Sequence, residues 1–378
     1  MKKISIVLGT LLLAGSITSC KKEEKEKAKL EIPSTYDGTN FNANTVSQDA
    51  LIKQLTALTD EAKRGRNSAN TVEKSDLDDL FTIGTPSLSS EITSYFKGKL
   101  EGTNGWFDEL AKASGTTWTP KAPADGDQGG TYGGYLFDEN GLEMEQLVEK
   151  GQFNATLYNH AVKLMQGEIT LETADQLVAI FGAKPVFANS ASNNVAADSR
   201  DRAMANYGAR RDKNDGKGMY SRIKTAFITL QAAIKAGDEY QDEQNKALKD
   251  IQLLWEKINA ATVINYCHSP ISSLSGTNPT EAQIGGALHA ICEGIGFIHG
   301  LKTINQSYRK ITDTQIDEIL VLFNAPATGT ATVYKFATDP VTELPKLQQV
   351  IDKLKAIYGF STQEIEDFKS NWVSSQNR

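Results

Sequence analysis

The chain has 378 residues, of which 39% are hydrophobic and 23% are charged, the composition of an ordinary globular protein. It carries 40 Lys and Arg against 47 Asp and Glu, so the formal net charge is −7 at pH 7. An acidic surface repels the phosphate backbone of nucleic acids, and we therefore expect no nucleic-acid partner.

The first residues have the pattern of an export signal. Lys2 and Lys3 precede an apolar run that ends at Ile17 and is shorter than the ~20 residues needed to span a bilayer. The sequence Ile17-Thr18-Ser19-Cys20 follows, and it resembles the lipobox of bacterial lipoproteins. We predict a signal peptide over residues 1–19 and a lipid anchor on Cys20. The alternative is an ordinary secretory signal that contains a cysteine by chance.

Residues 20–46 are predicted to be the acylated cysteine and a flexible tether. Residues 21–29 are Lys, Glu and one Ala, and such a run buries too little apolar surface to offset its ordering entropy. A Lys- and Glu-rich run directly after the cysteine resembles the surface-export signal of Bacteroidota lipoproteins. This favours an outer-membrane lipoprotein on the cell surface, and the periplasmic face is the alternative.

Over residues 47–378 we predict one all-α domain, a multi-helix bundle with long irregular loops. Its first helix presents an apolar stripe of Leu51, Leu55, Leu58 and Ala62. Further helices are predicted over residues 92–100, 141–165, 170–182, 220–236 and 240–266. Helix starts are predicted at Ser75, Pro279, Thr312 and Ser361, from capping boxes and from the preference of proline for the first turn.

A Gly-, Pro- and Thr-rich stretch over residues 102–134 is predicted to be a long loop, and long ordered loops tend to carry function. Trp106 and Trp118 are the residues expected to hold it against the core. The alternative is that these tryptophans, with Tyr132, form a platform on which sugars stack.

Two cysteines remain once Cys20 is acylated. Outside the cytoplasm, Cys267 and Cys292 can form a disulfide. Both also lie in apolar stretches, where a free cysteine behaves as a small buried hydrophobic residue. The sequence leaves the two alternatives open.

One helical stretch carries the most suggestive pair of polar residues. His289 and Glu293 are four residues apart, so they share one face of a helix and could contact one ligand or metal ion. The same stretch contains glycines that each cost about 1 kcal/mol relative to alanine in a helix, which close packing of another helix or of a ligand would offset. These glycines are Gly285, Gly286, Gly294, Gly296 and Gly300. The alternative is a structural His–Glu hydrogen bond in a tight helix crossing.

A second acidic group consists of Glu143, Glu145 and Glu149, followed by Lys150. Its simplest interpretation is a solvated helix face with a Glu–Lys neighbour. If Glu145 or Glu149 instead faces inward beside His289, the mix of carboxylate and imidazole would suit a hard or borderline cation. No serine elbow, phosphate-binding loop or zincin histidine pair is present in the sequence, so we expect a binding protein rather than an enzyme.

Three stretches carry a resemblance to a known family. Residues 32–36, 142–151 and 289–298 resemble segments of a family of Bacteroidota lipoproteins of unknown function. That family is similar in plan to the imelysin-like proteins of iron uptake. The resemblance implies a helical bundle at the cell envelope with a role in iron or haem acquisition, working with an outer-membrane receptor or transporter.

The chain departs from the imelysin-like pattern at two places. Those proteins carry Gly-x-His-x-x-Glu, whereas three residues separate His289 from Glu293 here. Relatives also carry a His-Trp-Asp-Glu-like patch before Phe-Gly, and the matching residues 173–176 read Thr-Ala-Asp-Gln before Phe181. Three functions therefore compete: a non-enzymatic binding lipoprotein, a glycan-binding lipoprotein that partners a transporter, and a degenerate metal-dependent peptidase.

Overall fold

The computed structural model describes residues 27–378. The predicted signal peptide, the lipid anchor on Cys20 and the beginning of the tether lie outside the described residues. Within residues 27–378, none of the helices combines the length and the apolar character needed to cross a membrane.

The fold is all-α, as the sequence predicted, with one two-stranded antiparallel hairpin among residues 27–378. The helices of the first half are α1 (Phe41–Asn44), α2 (Val46–Lys63), α3 (Lys74–Thr82), α4 (Leu88–Glu91), α5 (Ser94–Glu101), α6 (Trp106–Ala113), α7 (Met144–Gln152), α8 (Asn159–Gln166) and α9 (Leu171–Phe181). The hairpin strands are β1 (Gly130–Tyr132) and β2 (Tyr135–Phe137), in a register that pairs Thr131 with Leu136.

The helices of the second half are α10 (Ala203–Arg211), α11 (Met219–Ala236), α12 (Gln241–Leu274), α13 (Glu281–His299), α14 (Asp313–Leu322), α15 (Lys335–Thr338), α16 (Pro340–Tyr358), α17 (Thr362–Asp367) and α18 (Trp372–Ser375). The 34-residue α12 is the longest, and α11, α13, α10 and α16 pack against it. Helix α13 also packs along α7. These two contacts of α13 place the centre of the fold between α12 and α7.

Capping boxes fix several helix starts where the sequence placed them. The side chains of Thr312 and Ser361 each accept a hydrogen bond from the backbone N–H three residues later. The side chains of those later residues, Gln315 and Glu364, accept from the backbone N–H of the capping residue. Thr280 caps α13 in the same way, one residue after the predicted start at Pro279. The predicted cap at Ser75 is wrong, because Glu73 is the N-cap of α3 and makes no side-chain capping bond.

The loop predicted over residues 102–134 contains helix α6 and strand β1. Its tryptophans are buried, as expected for residues that hold the segment to the core: Trp106 is 9% and Trp118 is 7% exposed. The Trp118 ring contacts the rings of Tyr132 and Phe137. Because these tryptophans are covered by protein, they do not form an open platform for sugars.

The packed part of the chain begins earlier than the predicted boundary at residue 47. Tyr36 and Phe41 belong to the hydrophobic core, and the Tyr36 hydroxyl donates to Asp175 at 2.7 Å. The predicted tether therefore includes residues that fold with the domain.

Close approach between α7 and α13 explains two of the five glycines noted in the sequence, Gly296 and Gly300. A Cβ atom on Gly300 would lie 2.1 Å from the Gly151 carbonyl oxygen, and one on Gly296 would lie 2.8 Å from the Gln146 carbonyl oxygen. These distances are too short for real Cβ atoms, so only glycine lets the two backbones meet. The predicted tight helix crossing is confirmed.

Of the two alternatives for the cysteines, the structure has the buried free thiols. Cys267 and Cys292 are both unbridged and fully buried, and burial raises the pKa of each thiol. Cys292 Sγ accepts a hydrogen bond from the Glu143 backbone N–H at 3.2 Å. The thiol thus helps to hold the start of α7 against α13.

Candidate functional site

A cavity of about 420 Å³ opens between α2, α7, α10 and α13. Its lining is rich in charged side chains; some of them are buried, where charges are normally paired, and others, such as Asp60, are exposed to solvent. The charged residues that line it are Asp60, Lys63, Arg66, Glu149, Lys150, Arg202, Arg210, His289 and Glu293. His289 and Glu293, predicted from their spacing, both face this cavity.

His289 is held from several sides. Its Nδ1 lies 2.6 Å from Glu143 Oε2, its Nε2 lies 3.5 Å from Glu293 Oε2, and the Tyr135 ring stacks on the imidazole at 4.3 Å. Burial by itself lowers the pKa of His289, but the charge of Glu143 and its hydrogen bond more than offset that effect. The pKa of His289 therefore lies above its usual value, and Glu143 acts as the counter-ion of the imidazolium.

Around His289, side chains of alternating charge form a closed ring, which we call the charge ring. In order, its residues are His289, Glu143, Arg66, Glu145, Lys63, Glu149, Lys150 and Glu293. Neighbours are 2.6–3.9 Å apart, apart from the shorter Arg66–Glu145 contact. When His289 is protonated and Glu145 is ionised, the four basic groups of the ring equal its four carboxylates in number.

The ring joins the parts of the chain that meet at this point. Lys63 ends α2 and Arg66 follows it, while α7 supplies Glu145, Glu149 and Lys150. The Tyr266 hydroxyl of α12 donates to Glu293 at 2.9 Å. Moving one helix away would leave buried charges of the ring without their counter-ions, which costs free energy. The ring therefore fixes the relative positions of α2, α7 and α13.

The expectation that the acidic group of α7 forms a solvated face is wrong. The side chains of Glu143 and Glu145 are fully buried, and only the predicted Glu149–Lys150 neighbour contact is present, at 2.6 Å. Burial, followed by the charges of Glu143 and Glu149, raises the pKa of Glu145. The inward-facing alternative is the one that the structure has.

Some polar atoms at the ring have no hydrogen-bond partner in the protein. Glu145 Oε1, Gln146 Oε1 and Arg66 Nε are buried without a hydrogen bond. Buried polar atoms are normally paired, and an unpaired one costs about 1–3 kcal/mol. Gln146 and Arg66 line the cavity, so part of its wall is short of hydrogen-bond partners.

Cations already occupy the carboxylates that were considered as metal ligands. Arg66, Lys63 and Lys150 lie between Glu143, Glu145, Glu149 and Glu293. Among residues 27–378, no group of three or more His, Cys, Asp or Glu side chains is arranged to hold a metal ion. A metal bound by these carboxylates would have to displace at least one of the cations.

The patch at residues 173–176 lies outside the cavity wall. Asp175 accepts hydrogen bonds from the Tyr36 hydroxyl and from Asn44, at 2.7 and 2.8 Å. It therefore ties the N-terminal segment to α9, and it does not join the charge ring.

The cations of the ring were not predicted from the sequence. Lys63 and Arg66 stand at the C-terminal end of a helix, where basic residues are common because they complement the helix dipole. Lys150 looked like the surface partner of Glu149. A surplus of carboxylates at inward-facing positions of α7 was the available signal, because buried carboxylates need cations from elsewhere in the chain.

Comparison of the chain with family models, with curated proteins and with solved structures finds no match. Two of the stretches that carry the resemblance, residues 142–151 and 289–298, pack against each other along the α7–α13 crossing and supply most of the charge ring. The resemblance to imelysin-like proteins stays an expectation.

Proposed function

We propose that the protein is a lipid-anchored binding protein of the bacterial cell envelope, and that the charged cavity holds a small zwitterionic molecule. The lipid anchor on Cys20 and the cell-surface location are carried over from the sequence. The ligand class is inferred from charged residues that line the cavity but do not belong to the charge ring.

One observation carries the proposal. Asp60 and Arg210 line the cavity, yet among residues 27–378 neither has an oppositely charged group within 4.0 Å. The Arg210 guanidinium is positioned by Asn206 at 3.2 Å and by the Tyr207 ring at 4.9 Å. One unpaired anion and one unpaired cation on the same cavity suit a ligand that carries an ammonium and a carboxylate group.

The same lining argues against iron or haem as the main ligand. Iron would compete with Arg66, Lys63 and Lys150 for the carboxylates of the ring, and haem would need an apolar slot in place of these charged walls. A role in iron acquisition through an outer-membrane receptor therefore rests on the resemblance alone. A peptidase would need a nucleophile or a metal-bound water beside His289.

Calorimetric melting of the protein with defined probes tests the proposal, because a ligand that binds only the folded state raises Tm. The probes are a mixture of free amino acids, a mixture of monosaccharides, and ferric citrate. We expect the amino acids to raise Tm, and Asp60→Asn to weaken binding by about tenfold through loss of one charged contact.

Asp242→Asn is the matched control, since Asp242 is an exposed carboxylate on α12 that lines no cavity described for this chain. It should bind the amino acids as the wild type does. A wild type whose Tm responds to none of the amino acids contradicts the proposal. So does a response to ferric citrate alone that His289→Ala abolishes, since that result assigns the cavity to a metal ion.

A further inference from the structure

A second cavity, of about 730 Å³, lies on the other side of α10 from the charge ring. It is bounded by α10, by α12 and by the segment after α17 that includes Lys369 and Asn371. Tyr207 and Arg210 line both cavities and form the wall between them. The proposed function above uses only the first cavity.

The second cavity has the opposite balance of charge from the molecule as a whole. Arg210, Arg211 and Lys369 line it, and its lining contains no Asp or Glu among the described residues; Lys369 is paired with Glu366, outside the lining, at 2.7 Å, so the two arginines carry the unpaired positive charge. The chain carries a net charge of −7, so a basic cavity without acidic residues differs from the charge of the protein as a whole. Such a lining concentrates positive potential, which favours an anion.

Arg211 is the group that most needs an anion. It is 7% exposed, and Nη1 donates to the Phe368 carbonyl at 2.6 Å, while Nε is buried without a hydrogen-bond partner. Burial lowers the pKa of Arg211 to about 10, and no carboxylate acts on it to offset that effect. Burying a guanidinium without a counter-ion destabilises the folded protein. A bound anion would supply that counter-ion and offset the destabilisation.

Hydroxyl groups around the cavity are available as donors. Ser273 Oγ is buried without a hydrogen-bond partner, and Ser273 lines the cavity. Ser269 and Ser272 add hydroxyl groups from the same end of α12. Guanidinium groups on one side and hydroxyls on another can satisfy an acceptor that has oxygens in several directions.

We propose that this second cavity binds a tetrahedral oxyanion, a phosphate or sulfate group, with Arg211 as its buried counter-ion and Arg210 closing the site toward the first cavity. A tetrahedral oxyanion fits better than a planar carboxylate because donors approach from α10 and from α12. The group is either a free anion or one end of an organic monoester.

Isothermal titration of the full-length protein with inorganic phosphate, inorganic sulfate and glycerol phosphate, in chloride buffers of matched ionic strength, tests this site. We expect saturable binding of at least one probe and at least about tenfold weaker binding by Arg211→Gln. Tighter binding of glycerol phosphate than of both inorganic anions identifies a monoester, and the reverse order identifies a free anion.

Two further variants keep the result decisive. Asp60→Asn alters only the first cavity, and we expect it to bind the anion as the wild type does. Arg210→Gln, whose side chain is only partly buried, replaces Arg211→Gln if the latter does not fold, and it should also weaken binding by about tenfold.

Arg211→Gln is expected to melt no lower than the wild type in chloride buffer, because the variant removes an unpaired buried charge. Absence of saturable binding by the wild type overturns the proposal. Unchanged anion affinity in a folded Arg211→Gln protein, or in Arg210→Gln, overturns it as well.

Discussion

His289 is subject to two opposing effects, and their balance sets its charge. Burial favours the neutral imidazole, whereas Glu143 at 2.6 Å and Glu293 at 3.5 Å favour the imidazolium. The carboxylates win, so the folded-state pKa exceeds the unfolded one. Protonated His289 then contributes stability that is fully present below pH ~6.5 and is lost as pH rises through the folded-state pKa.

Glu143→Gln should lower the pKa of His289, because it removes the larger of the two favourable charges and leaves the effect of burial. Titration by NMR of protein labelled at histidine measures this directly. Glu293→Gln is the matched control. We expect it to decrease the His289 pKa less, because the Glu293 carboxylate lies farther from the imidazole than Glu143 does and its charge raises that pKa less. Equal His289 pKa values in the wild type and Glu143→Gln would show that Glu143 is not the counter-ion.

Contacts between residues could be predicted from the sequence only where the two residues are close together in the chain. His289 and Glu293 are one helical turn apart, so their shared face followed from spacing alone. Glu143 lies 146 residues from His289, and Arg66 lies 77 residues from Glu143. Those pairings depend on how helices pack, which apolar periodicity does not specify.

At the scale of elements, the helices predicted from the sequence were those with an apolar stripe or a capping box. The stripe of Leu51, Leu55 and Leu58 is buried in α2, and Thr312 caps α14. Helix α10 was missed because its buried residues form no stripe of large aliphatic side chains: they are Met204, Ala205, Tyr207, Gly208, Ala209 and Arg211. Yet α10 supplies residues to both cavities, so a helix that the sequence pattern did not predict matters most for the proposed binding.

The α7–α13 crossing makes a prediction about glycine. Gly300→Ala should lower the free energy of unfolding by about 2–3 kcal/mol, because its Cβ would meet the Gly151 backbone, which cannot move aside without shifting α7. Urea unfolding followed by circular dichroism measures the change.

Gly286→Ala is the matched control on the same helix, since no atom lies within 4 Å of the added Cβ. There we expect a gain of about 0.5–1 kcal/mol from reduced freedom of the unfolded chain. Similar effects of the two substitutions would mean that helix propensity, and not the crossing, governs both sites.

At the scale of the whole molecule, the N-terminal segment connects the proposed anchor to the helical core. The Lys27 ammonium contacts Glu243 at 2.6 Å and lies over the Tyr240 ring, the Tyr240 hydroxyl donates to the Ala28 carbonyl, and Tyr36 is buried. These contacts hold residues 27–36 against α9, against the turn before α12 and against α12 itself. A lipid on Cys20 would therefore be joined to the folded domain by a short connection, because only residues 21–26 intervene.

Membrane attachment by this chain is predicted to depend on Cys20. Its acidic net charge gives no attraction to anionic lipid, and no helix within residues 27–378 spans a membrane, whereas each buried CH₂ of an acyl chain contributes about 0.8 kcal/mol. Cys20→Ser should lose metabolic labelling by a palmitate analogue and move from the membrane fraction to the soluble fraction. Cys267→Ala, which removes a buried thiol, should keep both label and membrane attachment. Label retained by Cys20→Ser would place the lipid elsewhere, and absence of label from the wild type would show that the leader is an ordinary secretory signal.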